Sequence, residues 1–158
     1  MALKGDRLTH IEDISFFATS TAERGGCASL VTGGSGVAMD QSVNVAGYNA
    51  TASGKIPLGI LLNDVVNLDL TRQHKNFHKD EVQVNGKVTL LRVGQVTTNW
   101  IQPGITVTAG DKAFLSVSGY ISNSDLGAAA APIIGEFLTS KNEDGYAKVH
   151  INLPMARS

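Results

Sequence analysis

Apolar and polar residues alternate in short runs along most of this chain, and glycine, proline and asparagine punctuate the runs. Two stretches share one layout. In the first, Asn44-Val45-Ala46-Gly47-Tyr48 leads through a polar excursion to Pro57-Leu58-Gly59-Ile60-Leu61-Leu62. In the second, Ser116-Val117-Ser118-Gly119-Tyr120 leads through small residues to Pro132-Ile133-Ile134-Gly135-Glu136-Phe137-Leu138. Each reads as a strand ending in Gly-Tyr, followed by an apolar strand entered through proline. Val43 and Val45 alternate as in a half-buried strand, whereas residues 56–62 are apolar almost throughout and predict a fully buried one. Pro57 suits the first position of such a strand, where its missing N–H breaks no ladder. Val65, Val66, Leu68 and Leu70 predict a further strand.

The second half continues the pattern. Glu81-Val82-Gln83-Val84, Asn85-Gly86 and Lys87-Val88-Thr89-Leu90 predict a hairpin, because Asn-Gly readily takes the two positive φ values of a type I′ turn. Residues 91–98 continue that strand, with Gly94 as a candidate bulge. Trp100 and Ile101 precede a turn at Gln102-Pro103-Gly104. Residues 105–108 and 113–120 alternate as strands, separated by the turn Ala109-Gly110-Asp111-Lys112. Residues 125–131 read equally as a short helix stopped by Pro132 or as an ordered loop, since so short a helix is marginal alone. Residues 133–139 predict a second buried strand. After the turn Lys141-Asn142-Glu143-Asp144-Gly145, residues 146–153 predict a final one.

The N-terminal part is less regular. Leu8, Ile11, Ile14, Phe16 and Phe17 stand among charged and hydroxyl residues. Thr9 with Glu12 has the spacing of a capping box, in which hydroxyl and carboxylate each satisfy a free backbone donor. The poor helix formers that follow favour an extended arm with at most one helical turn. Either the arm packs on its own domain, or its apolar side chains are covered by a partner. Gly25-Gly26 and Gly33-Gly34-Ser35-Gly36 predict turns. No lysine with Ser or Thr follows them, as a phosphate-cradling loop requires. The expected organisation is therefore an N-terminal arm and glycine-rich connection over residues 1–36, then a single β-rich domain over 37–158. The fold class is mainly β: a compact β-barrel or β-sandwich with an extended N-terminal arm and at most one or two short helices.

Composition supports this. The chain has 158 residues, 42% hydrophobic and only 17% charged, with 17 glycines. Low charge with abundant Gly and β-branched residues favours strands and turns over helices. A formal net charge of −1 lacks the clustered basic face of a nucleic-acid-binding protein. The single cysteine, Cys27, excludes an internal disulfide and suits a reducing compartment. No apolar run approaches the roughly 20 residues of a membrane-spanning helix, and the first residues lack the form of a signal peptide.

Candidate chemistry is sparse. His74 and His78 lie four apart, with Asp80 and Glu81 beside them. On a helix that spacing puts two imidazoles on one face, yet no third distant ligand stands out, so residues 72–79 read as a solvated or interface loop. There is no Gly-x-Ser-x-Gly elbow. Asp64, Asp69, Asp111, Glu136 and Asp144 sit mostly at turns, where carboxylates cap backbone donors. Trp100, the only tryptophan, reads as core before it reads as a binding hot spot. The residues predict no enzyme and no cofactor.

Several segments carry a resemblance: Glu23-Arg24-Gly25-Gly26-Cys27, Gly36-Val37-Ala38-Met39-Asp40-Gln41, Pro57-Leu58-Gly59-Ile60-Leu61-Leu62-Asn63-Asp64, the run from Asn67 through Arg92, and Ser140-Lys141-Asn142-Glu143-Asp144-Gly145-Tyr146-Ala147-Lys148-Val149. Together they resemble the virion proteins of tailed bacteriophages, and in particular the head decoration, or cement, proteins. The resemblance implies a structural protein made in the host cytoplasm and carried on the outer surface of the capsid. It would bind the major capsid protein and copies of itself, trimers being favoured, with no nucleic-acid or membrane partner. Its expected contacts are Leu8, Ile11, Ile14, Phe16 and Phe17 on the arm and Arg72, His74, Phe77 and His78 on the polar loop. A tail or baseplate component and a carbohydrate-binding β module share the composition. The sugar-binding alternative is poorly supplied by an aromatic content of 6%.

Overall fold

The structure is a computed structural model that describes residues 8–31, 45–64, 81–82, 84–125 and 131–154. Within them the regular structure is all β-strand, apart from one 3-10 turn at Val117–Gly119. The strands are β1 (Leu8–Ala18), β2 (Ala22–Glu23), β3 (Cys27–Val31), β4 (Val45–Gly47), β5 (Pro57–Asp64), β6 (Glu81–Val82), β7 (Lys87–Thr98), β8 (Lys112–Leu115), β9 (Ile121–Ser122), β10 (Ile133–Phe137) and β11 (Ala147–Asn152).

Nine strands form one sheet in the order β1-β4-β3-β5-β7-β11-β10-β8-β9, and β1 also pairs with β7. That extra pairing closes a ring of β1, β4, β3, β5 and β7. A second circuit runs from β7 through β11, β10 and β8 to β9. It closes where Ile101, just past the end of β7, bridges Ile121 in parallel. Strand β7 belongs to both circuits. Its first half pairs with β5 (Leu91 with Ile60, Leu90 with Leu61) and its second half with β11 (Val96 with Val149, Gly94 with Ile151).

Two cores follow from the two circuits. One gathers Ile60, Leu62, Leu91, Val96, Ile121, Ile134, Phe137, Val149 and Ile151, with Cys27. The other gathers Ala18, Ala28, Ala46, Leu58, Leu61, Val82, Val88 and Leu90, with Phe16, Ala22 and Tyr48 against it. Neighbours on β5 and β7 point into different cores: Leu61 and Leu90 into the smaller, Leu62 and Leu91 into the larger. This explains why β5 reads as a continuous apolar run. A strand with apolar packing on both faces has no polar side to alternate. At Leu58 the register with β3 shifts, and the phase of β5 changes with it.

Several expectations change. Residues 9–12 form no helical turn; they are part of β1. The predicted Asn-Gly hairpin is not made. Asn85 does take a positive φ of 61°, but Gly86 does not, and β6 pairs with β2 rather than β7. The cause is the end of β1: Ala18 N–H donates to the Gly86 carbonyl at 2.9 Å, and Asn85 N–H donates to the Ala18 carbonyl at 2.9 Å. The end of β1 thus bonds to both residues that were to form the turn. Residues 105–108 alternate but pair with nothing among the described residues. They run as an extended segment burying Val107. The strand expected over 113–120 ends at Leu115. The expected strand around Val65–Leu70 and the turns at residues 33–36 lie outside the described residues.

Residues 8–31, expected as an arm and connection, supply β1 to β3, and β1 and β3 are strands of the main sheet. The arm is extended, and it runs antiparallel along β7.

Candidate functional site

Strand β1 has two unlike halves. Its last residues close the first ring: Phe17 and Ala18 pair in parallel with Val45 and Ala46 of β4. Phe16 packs against the smaller core, and the ammonium of Lys87 lies 5.6 Å from the centroid of the Phe17 ring. Residues 8–15 instead lie on β7 through backbone bonds, from Leu8 opposite Gln95 to Asp13 opposite Leu90. Their side chains enter neither core. Leu8 is 51% exposed and Ile11 and Ile14 are each 54% exposed, so three branched apolar side chains along β1 project into solvent.

The ladder there is irregular. The register with β7 shifts between Thr9 and Ile11, between Ile11 and Glu12, and between Asp13 and Phe16. The last shift is held by a local motif: Asp13 Oδ1 accepts from the Ser15 N–H at 2.8 Å and from the Ser15 hydroxyl at 2.6 Å. Gly94 stands where the ribbon crosses, because a Cβ there would run into the Leu8 carbonyl. Bulges of this kind bend a strand and spoil the period-2 alternation. The result is a ribbon with exposed apolar side chains, and among the described residues nothing pairs with its outer edge over residues 8–16.

Of the expected contact residues, Leu8, Ile11 and Ile14 are therefore exposed in a row along β1. It places Phe16 and Phe17 half-buried at the ring closure. Arg72, His74, Phe77 and His78 lie outside the described residues, as do Asp80 and the possible His74–His78 pair.

A second feature had only a faint sequence signal. Trp100 stacks on Tyr120 with ring centroids 5.1 Å apart and planes 11° apart, and packs against Tyr48 at 5.7 Å and 32°. The two Gly-Tyr dipeptides of the repeated layout thus converge on the single tryptophan. The glycines make room: a Cβ on Gly26 would lie 2.5 Å from Trp100 Cδ1, and one on Gly119 would overlap the Tyr48 ring. The Tyr48 hydroxyl donates to the Glu23 carbonyl at 2.6 Å and accepts from the Gly26 N–H at 3.0 Å. Burial raises its pKa well above the usual tyrosine range, so the hydroxyl stays protonated. This arrangement ties the β2–β3 turn to both circuits and is a joint, not an open platform.

Burial pushes the Cys27 thiol up to about 12, so no thiolate forms near neutral pH to act as a nucleophile. No group of three His, Cys, Asp or Glu among the described residues is placed to hold a metal ion. A shallow depression of about 220 Å³ is lined by Thr51, Ala52, Ser53, Leu115, Ser116, Val117 and Asp125; small-molecule sites usually exceed roughly 300 Å³. No helix among the described residues is long and apolar enough to cross a membrane.

Asp111 is a carboxylate held by two hydrogen bonds. Its Oδ2 accepts from Asn123 Nδ2 at 2.9 Å and from the Thr108 N–H at 2.9 Å, and these bonds hold its carboxyl below the usual value of 3.8. A depressed folded-state pKa contributes stability that is present above the unfolded value and lost as pH falls through the folded one. Thermal unfolding followed from about pH 6 to about pH 3 is expected to show an acid-side loss of Tm that is smaller in Asp111→Asn. Equal losses in both proteins would show that the carboxylate contributes nothing.

No family model matches this chain, and no curated protein is detectably similar to it.

Proposed function

We propose that this chain is a structural protein of a tailed-bacteriophage head, a decoration protein that binds the outside of the shell and clamps neighbouring major capsid subunits. Two things support the reading. One is the resemblance carried by the segments quoted above. The other, which carries the argument, is the row Leu8, Ile11 and Ile14, held out from a scaffold whose own cores are closed. Covering three half-exposed branched side chains stabilises a complex by about 1 kcal/mol each, and a strand edge adds directional backbone bonds. That combination suits a contact with a neighbouring protein better than catalysis.

The test is decoration of expanded capsids lacking the protein, with occupancy counted by electron microscopy. Removing residues 1–20 is a poor variant, because Phe17 and Ala18 close the first ring. The triple change Leu8→Ser, Ile11→Ser and Ile14→Ser leaves the cores intact. It is expected to weaken binding by at least roughly tenfold, from the apolar area lost. Full occupancy by the triple variant would overturn the role of β1. Wild-type protein that ignores heads and binds tails or baseplates would replace the head assignment with a tail one.

A further inference from the structure

We infer that Asn85-Gly86 is a self-modifying site kept inert by the end of β1, and that release of this strand end commits it to imide formation. The reaction is intramolecular. The Gly86 amide nitrogen bonds to Asn85 Cγ, the Cγ–Nδ2 bond breaks, and Nδ2 leaves as ammonia with the Gly86 amide proton. Water then opens the cyclic imide at either carbonyl, giving aspartate or isoaspartate at position 85. Only the dipeptide and solvent water take part. The inference concerns the fold and stands apart from the assignment to a phage head.

The sequence supplies the reactants once. Asn85-Gly86 is the one Asn-Gly pair in the chain, and glycine has no Cβ to hinder attack by its own nitrogen. The structure then withholds the reaction. Asn85 N–H donates to the Ala18 carbonyl and the Gly86 carbonyl accepts from Ala18 N–H, each at 2.9 Å. These bonds stand on either side of the reacting peptide unit. With the positive φ of Asn85, they fix the main chain that must turn to bring Cγ onto the Gly86 nitrogen. Asn85 is exposed and Gly86 is buried, so the nucleophile lies covered while the side chain it would attack is in solvent.

The source of the lock sets this site apart. In Asp144-Gly145 the Gly145 N–H donates to the Asn142 carbonyl at 3.0 Å, within the same turn. In Asn123-Ser124 the Asn123 amide donates to the Thr106 carbonyl and to Asp111 Oδ2, each at 2.9 Å. Asn85-Gly86 is instead held by a strand distant in sequence. That strand meets a core only near its end, and three register shifts interrupt its ladder with β7. Local opening is easiest where few buried contacts hold a segment.

Opening is also recorded covalently. Isoaspartate routes the main chain through the side-chain carbon, which lengthens the path from the residue 85 N–H to the Gly86 carbonyl. The two groups then no longer match the carbonyl and N–H of the single residue Ala18. Either product adds a negative charge where the first ring closes.

Peptide mapping by mass spectrometry tests this on full-length protein aged in mildly alkaline buffer. Conversion at position 85 is expected to run at least roughly tenfold slower in the native protein than in urea at the same pH, because only the opened fraction reacts. Phe17→Ala removes the ring beside the Lys87 ammonium and loosens the end of β1 without emptying either core. It should speed the native reaction at least roughly threefold. Phe137→Ala, in the larger core, should leave the native rate unchanged. Tryptophan fluorescence checks that both variants are folded. Hydrogen exchange at the Ala18 and Asn85 amides of the unaltered protein reads the same opening with no variant at all. Their protection should match that of the reaction to within roughly threefold. Equal rates in native and unfolded protein would overturn the inference, since the strand end would then hold nothing. So would an acceleration by Phe137→Ala as large as that by Phe17→Ala, which would mean that reaction waits on global unfolding. Amide protection that differs widely from protection of the reaction would overturn it as well.

Discussion

Alanine in place of Phe137 is expected to destabilise the protein by about 3–5 kcal/mol, the usual cost of emptying an aromatic site in a core. Phe137 is fully buried in the larger core, and its backbone also anchors the turn at residues 109–111. Its N–H donates to the Asp111 carbonyl at 2.8 Å, and its carbonyl accepts from the Gly110 N–H at 2.7 Å. Phe137 thus serves the larger core through its ring and the segment that joins residues 105–108 to β8 through its backbone. Urea unfolding followed by Trp100 fluorescence measures the loss. A change below about 1 kcal/mol would mean that the larger core collapses around the hole, contrary to the packing described.

Trp100→Ala should have the next largest effect, about 2–3 kcal/mol, scaled down from a full aromatic deletion because the ring is only half-buried. The position is unusually connected. Trp100 N–H donates to the Thr98 hydroxyl at 3.0 Å, that hydroxyl donates to the Gly25 carbonyl at 2.9 Å, and the Trp100 carbonyl accepts from Ile121 N–H at 3.0 Å. The ring meanwhile touches Tyr48 and Tyr120, one associated with each circuit. Loss of the indole leaves Gly26 facing a hole that its missing side chain cannot fill. The expected signature, beyond a lower midpoint, is a broadened transition by circular dichroism and calorimetry as the circuits lose their coupling. Phe137→Ala should keep a single sharp transition. A Trp100→Ala protein of unchanged stability would show that the aromatic contacts are incidental.

Strands with two apolar neighbours were the most legible in the sequence. β5, the first half of β7, β10 and β11 all appear as continuous or cleanly alternating runs bounded by turn residues, because packing on one or both faces dictates each position. β1 was legible only as extended, since its bulges break the period and its first half meets no core. The Asn-Gly signal misled because local turn preference, worth little by itself, yields to backbone bonds offered by a distant strand end at Ala18. Residues 105–108 misled in the opposite way: alternation alone does not supply a pairing partner. Of the candidate site, the row Leu8, Ile11 and Ile14 was visible as apolar residues lacking a home. The Tyr48–Trp100–Tyr120 joint was not, because residues 48, 100 and 120 meet only through the tertiary course of the chain. The two Gly-Tyr dipeptides hinted at it, and they turn out to share a neighbour rather than to mark equivalent units.

The sharing of β7 also bears on how such a protein can change over generations. Two cores ordinarily suggest two modules that recombination can separate, duplicate or exchange. Here no single cut divides them: a break after Thr98 leaves the second circuit without a wall, and a break before Lys87 robs the first. A change in length that keeps both cores intact is therefore expected in the connections rather than in β7, so that the two cores pass on as one unit.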